Sequence, residues 1–215
     1  MTVKEYGQFC GLARAMEMVG ERWTLLIVRD LLVGPKRYTD LRNGLPNIPT
    51  NMLATRLKQL EAHGVVARRA LPHPDRGVVY ELTDYGRELQ PAVIALGRWG
   101  AQTMTEPRTG EIATTDSRAL SFHTAFHPEA TCGAAIGYEV RMSDATFSLS
   151  IEAGRLTVET GSHPDPDLVI EGQAGRPVLD IMRGSLAPAD AVAEGRVRIE
   201  GPPALLDRFV EIFHL

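Results

Sequence analysis

The sequence predicts an α+β chain of two domains, and three observations carry that prediction. Residues 1–100 hold 14 basic and 10 acidic side chains, net +4, whereas residues 101–215 hold 9 and 17, net −8, within a 215-residue chain of formal charge −4. Apolar residues recur at helical spacing through most of the first half and alternate with period two through much of the second. Between the halves, Thr105-Glu106-Pro107-Arg108-Thr109-Gly110 has no periodicity and reads as a linker. The expected domains are 1–104 and 113–215, joined by 105–112, each long enough to bury a modest core.

The elements follow in chain order. Leu12, Ala15, Met16 and Val19 mark one face of a first helix between Gly7 and Gly20. Trp23, Leu26, Ile27, Leu31 and Leu32 give a wider stripe from Glu21 to Val33, a helix buried on most sides and stopped by Gly34-Pro35. A short third helix fits Tyr38 to Asn43, with Thr39 as its cap and Leu41 facing inward. A fourth runs from Pro49 to Gly64 with Leu53, Leu57 and Leu60 on one face, which leaves Thr50, Asn51, Ala54, Thr55 and Lys58 on the other. Residues 65–71 and 78–82 are β-type runs around Pro72-His73-Pro74-Asp75-Arg76-Gly77, a hairpin with Arg76 at its tip. A long helix then extends from Asp84 to about Met104, packing through Leu89, Val93, Leu96 and Trp99.

The second half reads as helix 116–126, strands at 138–142, 147–151 and 156–159, then strands 167–171 and 196–200, with helices at 178–183, 188–194 and 202–213. Glu152-Ala153-Gly154-Arg155 is a hairpin loop. The sheet is expected to be half-buried and mainly antiparallel.

Composition removes several classes. At 44% hydrophobic and 23% charged residues the chain is an ordinary globular one rather than disordered or fibrous. The longest apolar run, Leu25 to Leu32, is cut by Arg29 and Asp30, and Met1 to Tyr6 lacks an apolar h-region, so a cytoplasmic protein with no membrane partner is expected. Cys10 and Cys132 are too few and too far apart for a disulfide scaffold or zinc site. His123 and His127 stand four apart without a third ligand, so neither a metal nor a cofactor is expected. There is no Gly-rich phosphate loop, no Gly-x-Ser-x-Gly elbow and no framed pair of carboxylates; the chain is not expected to be an enzyme.

Two helices joined by a tight connection, followed by a β-ribbon with a basic tip, place one helix in a DNA major groove and the ribbon on the adjacent backbone. Residues in the order and spacing Cys10, Trp23-Thr24-Leu25-Leu26-Ile27, Arg29, Leu31, Gly34, Arg37-Tyr38 and Leu41 open a longer pattern. It continues through Ile48, Met52-Leu53, Arg56-Leu57, Leu60-Glu61, Gly64-Val65, Arg68, Tyr80, Leu82-Thr83, Gly86, Leu89 and Trp99. This pattern resembles the HxlR family of winged helix-turn-helix regulators over about residues 7–100. The resemblance implies a bacterial transcription factor, a homodimer held by its terminal helices, and a two-fold-related site on double-stranded DNA. Pro49 stands where that family usually has a Ser cap, and Asn51 where Lys or Arg is common, so the target sequence does not transfer.

The expected DNA-binding residues are Arg37, Thr39, Thr50, Asn51, Thr55, Arg56, Lys58 and Arg76. Asn51 can pair bidentately with adenine, Thr50 and Thr55 can meet a base or a thymine methyl, and Arg56 can reach guanine or phosphate. Arg37, Lys58 and Arg76 are assigned to phosphate, which supplies affinity without sequence information. Arg56, between Leu53 and Leu57, equally suits the bracing of a neighbouring acid, and the plain alternative for the whole face is solvated surface.

The second half is similar to sterol-carrier-protein-type domains through Tyr138-Glu139-Val140-Arg141, Phe147-Ser148-Leu149, Ala153-Gly154-Arg155-Leu156, Pro166 to Ile170, Leu186-Ala187-Pro188 and Gly195 to Gly201. That resemblance implies helices over a sheet enclosing an apolar pocket for a small hydrophobic effector. Phe122, Phe126, Phe147, Ile181, Met182, Leu206 and Phe209 are the expected lining, with plain core as the alternative. Two further readings stand beside the ligand-modulated regulator. In the resembled HxlR family a cysteine at the place of Cys10 can act as a redox or electrophile sensor, which makes Cys10 a candidate whose thiol Arg14 would activate, against the alternative of a small buried apolar residue at the dimer-forming first helix. The chain also suits a lipid or small-molecule binding protein that uses its first half mainly to dimerise.

Overall fold

In the computed structural model, which describes residues 5–173 and 176–215, the chain separates into two compact units, Met1–Val93 and Ile94–Leu215. In the first, helices α1 (Gly11–Val19), α2 (Thr24–Val33), α3 (Tyr38–Gly44) and α4 (Thr50–Ala62) precede the hairpin β2 (Val66–Leu71) and β3 (Gly77–Leu82). The hairpin register runs from Val66 opposite Leu82 to Leu71 opposite Gly77. A two-residue strand, β1 (Lys36–Arg37), adds to β3 with Arg37 opposite Val79, giving the order β1-β3-β2. Gly34-Pro35 was legible as a helix stop, but a pair of residues is too short to show strand alternation.

The core of this unit is aliphatic. Ile27, Val28 and Leu31 of α2, Leu41 of α3, Leu53, Leu57 and Leu60 of α4, and Val66, Val79 and Leu82 of the hairpin are all buried. Between α3 and α4, Leu45 and Ile48 are buried anchors of the connection, and Asn47 turns the chain at φ 68°. The expected cap of α3 moves by two residues: Arg37 is the N-cap, and the Asp40 carboxylate accepts its backbone N–H at 3.0 Å. The first helix differs more, because Leu12 is 71% exposed and Met16 is exposed, while Ala13 and Val19 face inward.

The long helix expected from Asp84 is two helices, α5 (Asp84–Arg87) and α6 (Gln90–Ala101). Thr83 caps the first by accepting the Gly86 N–H, and Pro91, which has no N–H to give, suits only the opening turn of the second. Val93 is buried, whereas Leu96 and Trp99, expected to pack, are exposed. The division at Val93–Ile94 falls ahead of the expected boundary at 104. The reason lies in the bonds of the second unit: Arg98 donates to the carbonyls of Thr124 and Phe126, each at 2.6 Å, Arg183 donates to the Thr105 carbonyl, and Arg176 pairs with Glu106. The start of the expected linker is therefore held by the second unit.

That unit is α+β. Helix α7 (Thr115–Ala125) and a 3-10 turn (Pro128–Thr131) lead into β4 (Ile136–Met142), β5 (Ala145–Glu152) and β6 (Arg155–Thr160). β7 (Leu168–Gly172), α8 (Pro177–Met182), α9 (Pro188–Ala193), β8 (Val197–Glu200) and α10 (Ala204–Ile212) complete it. The sheet order is β6-β5-β4-β7-β8; every pairing is antiparallel except β4 with β7. The expected loop tightens to two residues, since Glu152 pairs with Arg155 and both Ala153 (φ 48°) and Gly154 (φ 72°) are left-handed, the backbone of a twist-matched hairpin turn.

Register aligns the inward residues: Leu149 and Leu168 flank Tyr138, and Phe147 and Ile170 flank Val140. On this face sit the rings expected to line a pocket, and they fill it. Phe122 meets Phe147 edge-on at 5.5 Å, Phe209 meets Tyr138 at 5.3 Å and Phe213 at 4.8 Å, and Phe126 lies 5.8 Å from Phe213. Phe122, Phe147, Ile181, Met182 and Phe209 are each no more than 1% exposed, and Leu206 and Phe126 are buried. The rings are packed against one another, and all seven residues expected as lining are buried in this structure. Aromatic and aliphatic residues at helical and strand spacing look the same in sequence whether they face a ligand or each other.

Candidate DNA-binding face

Helix α4 spans about 20 Å at about 1.5 Å per residue. Its apolar side is buried, and Thr50, Asn51, Ala54 and Lys58 are exposed on the opposite side, as the heptad-like spacing of Leu53, Leu57 and Leu60 requires. Thr39 on α3 and Arg76 at the hairpin tip are exposed as well. A helix of this length fits a major groove about 12 Å wide, and Asn51 and Thr50 sit in its first turn, the part that reaches base edges in helix-turn-helix docking.

Three expected contacts are engaged elsewhere. Arg56 is buried: its Nη2 pairs with Glu21 Oε2 at 2.9 Å, its Nε donates to the Arg22 carbonyl at 3.2 Å, and its Nη1 donates to Gln59 Oε1 at 2.6 Å. It braces the start of α2, and its place between two core leucines is the reason. The Thr55 hydroxyl donates to the Asn51 carbonyl one turn back at 2.7 Å, which leaves only its acceptor capacity and its methyl for DNA. Arg37 donates from Nη2 to the Asp75 carbonyl at 2.7 Å and from Nη1 to the Arg76 carbonyl at 3.2 Å, so its guanidinium is bound to the hairpin tip.

One residue of the site was not singled out from sequence. The Tyr38 hydroxyl donates to the carbonyl of Thr50, the first residue of α4, at 2.8 Å. Its position directly after Arg37 was visible, but a phenol at a helix start carries no signal for a bond twelve residues away. Arg42 on α3 and His73 at the hairpin tip are exposed as well.

Cys10 is exposed in the single chain. As N-cap of α1 its thiol is drawn below the usual thiol range by the backbone N–H groups of Ala13 and then Leu12. The expected activator, Arg14, instead pairs with Glu17 at 3.0 Å. His127 stacks on His214 at 3.6 Å and places Nδ1 2.9 Å from Glu129, while His123 is largely buried and held below the usual imidazole range by desolvation. Among the described residues no group of three His, Cys, Asp or Glu side chains is arranged to hold a metal, and no helix is long and apolar enough to cross a membrane.

Comparison with known proteins identifies the family of the first half. Residues 18–108 match the family model of the HxlR-like helix-turn-helix. An uncharacterised HTH-type transcriptional regulator of Synechocystis sp., sll1512, is 34% identical over 102 residues, 47% of this chain and 76% of that one. The HTH-type transcriptional regulator YodB of Bacillus subtilis (strain 168) is 39% identical over 88 residues, 41% of this chain and 79% of that one. Among solved structures, the redox regulator HypR in its oxidised form is 30% identical and aligns with a TM-score of 0.42 over 45% of this chain and 100% of its own. With helices α3 and α4, a β-ribbon and three-quarters of a relative's length matched, this chain belongs to the HxlR-like helix-turn-helix family of DNA-binding transcriptional regulators.

Proposed function

We propose that the protein is a homodimeric transcriptional regulator that reads DNA with the first turns of α4 and grips phosphate with Lys58 and Arg76. The observation that carries this reading is the two-sidedness of α4: a closed leucine face inward, and exposed Thr50, Asn51 and Lys58 outward. Thr39 contributes from α3. Dimerisation is assigned to the exposed apolar residues of α1 and its approach, Phe9, Leu12 and Met16, because solvated side chains of this size in one stretch favour burial against a second copy.

The test is fluorescence anisotropy with the duplex upstream of the protein's own gene and a random duplex, at 50 and 200 mM salt. Two cations from each of two protomers release about four counterions, so specific binding should weaken about a hundredfold across that range. Equal affinity for both duplexes would end the regulator reading and leave the alternative, a binding protein that uses its first half to dimerise.

A small hydrophobic effector in the second domain belongs to the same proposal, supported by helices laid over a mainly antiparallel sheet, the layout that the sterol-carrier resemblance implies. Because Phe122, Phe147, Phe209 and Phe213 are in mutual contact, such a ligand must part the α10 rings from the sheet. Native mass spectrometry of the purified chain tests it, and a single ligand-free mass would assign this domain to scaffolding.

A second reading rests on Cys10, exposed and with its thiol acidity raised by the N–H groups at the start of α1. Thiol oxidation there would alter the dimerising helix and so the grip on DNA. Iodoacetamide labelling at neutral pH should modify Cys10 rapidly, and a Cys10→Ser variant should keep DNA binding in the presence of a thiol oxidant. Slow labelling of Cys10 would remove this reading.

A further inference from the structure

We propose that Arg37 acts on DNA without touching it, as the residue that positions the hairpin tip and so aims Arg76 at phosphate; the idea rests on the DNA-binding reading above. Four observations converge on Arg37. Its backbone is built into the sheet opposite Val79, so its Cα position is fixed by the strand that forms the hairpin's second arm. Its own N–H is taken by Asp40, which fixes the turn from β1 into α3. Its guanidinium is a fork across two successive carbonyls of the hairpin tip, Asp75 at 2.7 Å and Arg76 at 3.2 Å. The fourth is the glycine beside it: Gly77 has φ +147°, and a Cβ there would lie 2.5 Å from Arg37 Nη1. The hairpin tip therefore leaves room for this guanidinium at its base.

In the exposed five-residue loop between paired Leu71 and Gly77, a cation that donates to two carbonyl oxygens orders the loop through charge-assisted bonds. The next residue along, Tyr38, holds the Thr50 carbonyl at the first turn of α4. Two adjacent side chains at the start of α3 thus tie down both surfaces that meet DNA, the hairpin tip and the reading end of α4. The exposed Arg76 side chain projects from a backbone that Arg37 restrains, and the phosphate contact belongs to Arg76.

A double-mutant cycle on the full chain tests this, with Arg37→Gln, Arg76→Ala and the pair, titrated against a 30-bp duplex enriched from a random pool on the wild-type protein. Arg37→Gln should weaken binding about tenfold and lower the salt slope by about one per protomer, as Arg76→Ala does, while in the Arg76→Ala background it should change binding less than about twofold and leave the slope unchanged. Additive losses, with the slope of the double variant lower by a further one per protomer, would make Arg37 a phosphate ligand and overturn the proposal.

An arm that needs no DNA keeps the two readings apart. The Arg76 carbonyl that Arg37 holds is the scissile carbonyl for trypsin, so the initial rate of cleavage at Arg76–Gly77, followed by mass spectrometry, should rise about tenfold or more in Arg37→Gln. An unchanged rate at that bond overturns the clamp. If the wild-type protein enriches no duplex, the regulator reading fails and the cleavage rate alone decides whether Arg37 orders the tip.

Discussion

Replacing Arg56 by methionine separates a structural arginine from a DNA-reading one on the same helix. Methionine keeps the unbranched stem and its packing but removes the cation. The ion pair to Glu21 contributes little, about 0–1 kcal/mol, because the Glu21 side chain is 54% exposed. The bonds to the Arg22 carbonyl and to Gln59 Oε1 are part-buried and charge-assisted, and leaving those acceptors unpaired costs about 1 kcal/mol or slightly more each. The sum is about 2–3 kcal/mol, or about 10–20 °C in the melting of a domain of this size. Trp23 lies in the first unit and Trp99 in the second, so urea unfolding followed by fluorescence in a Trp99→Phe background reports the first unit alone. The salt slope of DNA binding should stay at its wild-type value, because the Arg56 guanidinium is engaged by Glu21, the Arg22 carbonyl and Gln59 within the protein. A midpoint shift worth less than about 0.5 kcal/mol together with a slope lowered by about one per protomer would refute the bracing role and restore Arg56 to the DNA face.

Three further outcomes are expected. Leu12→Glu on the exposed side of α1 should convert the protein from dimer to monomer in light scattering coupled to size exclusion and weaken DNA binding at least tenfold; a dimer that survives it would place the interface elsewhere. Phe209→Ala, which empties a site in contact with Tyr138 and Phe213, should destabilise the second unit by about 3–5 kcal/mol in urea, whereas a ring lining an open tunnel would cost about 1 kcal/mol or less. His123 is held below its usual value of 6.5 by burial, so the unfolded chain takes up the proton first as pH falls. The stability it contributes is present above pH 6.5 and is lost as pH falls toward the folded value. His123→Gln should therefore flatten the fall in the second unit's urea midpoint between pH 7.5 and pH 5, and an unchanged pH profile would exclude this histidine as its source.

Which elements were legible follows from how much of their signal is local. The leucines of α4 recur at helical spacing because one side is buried, and that alone places Thr50, Asn51 and Lys58 outward. The strands of the second unit alternate for the same reason, and their bounds moved by a residue or two. The split of the long helix after Asp84 was written in Pro91, which only an opening turn accepts. By contrast, β1 is too short to alternate, and its identity comes from the strand it pairs with. The exposed state of Leu12, Leu96 and Trp99 was also invisible, since periodicity marks an apolar face without saying what covers it.

Charge made the same distinction within the site. Sequence alone determined that the first half carries the excess of basic residues, that α4 presents a polar face, and that a basic hairpin tip follows it, because composition and period are properties of the chain. It did not distinguish arginines that face solvent from arginines that face the protein. Arg56 turns inward to Glu21, Arg37 to the carbonyls of Asp75 and Arg76, and Arg76 outward. The tertiary structure decided those three roles, because a guanidinium goes to whichever acceptors the fold brings within about 3 Å, and those acceptors lie 35 to 39 residues away in the chain.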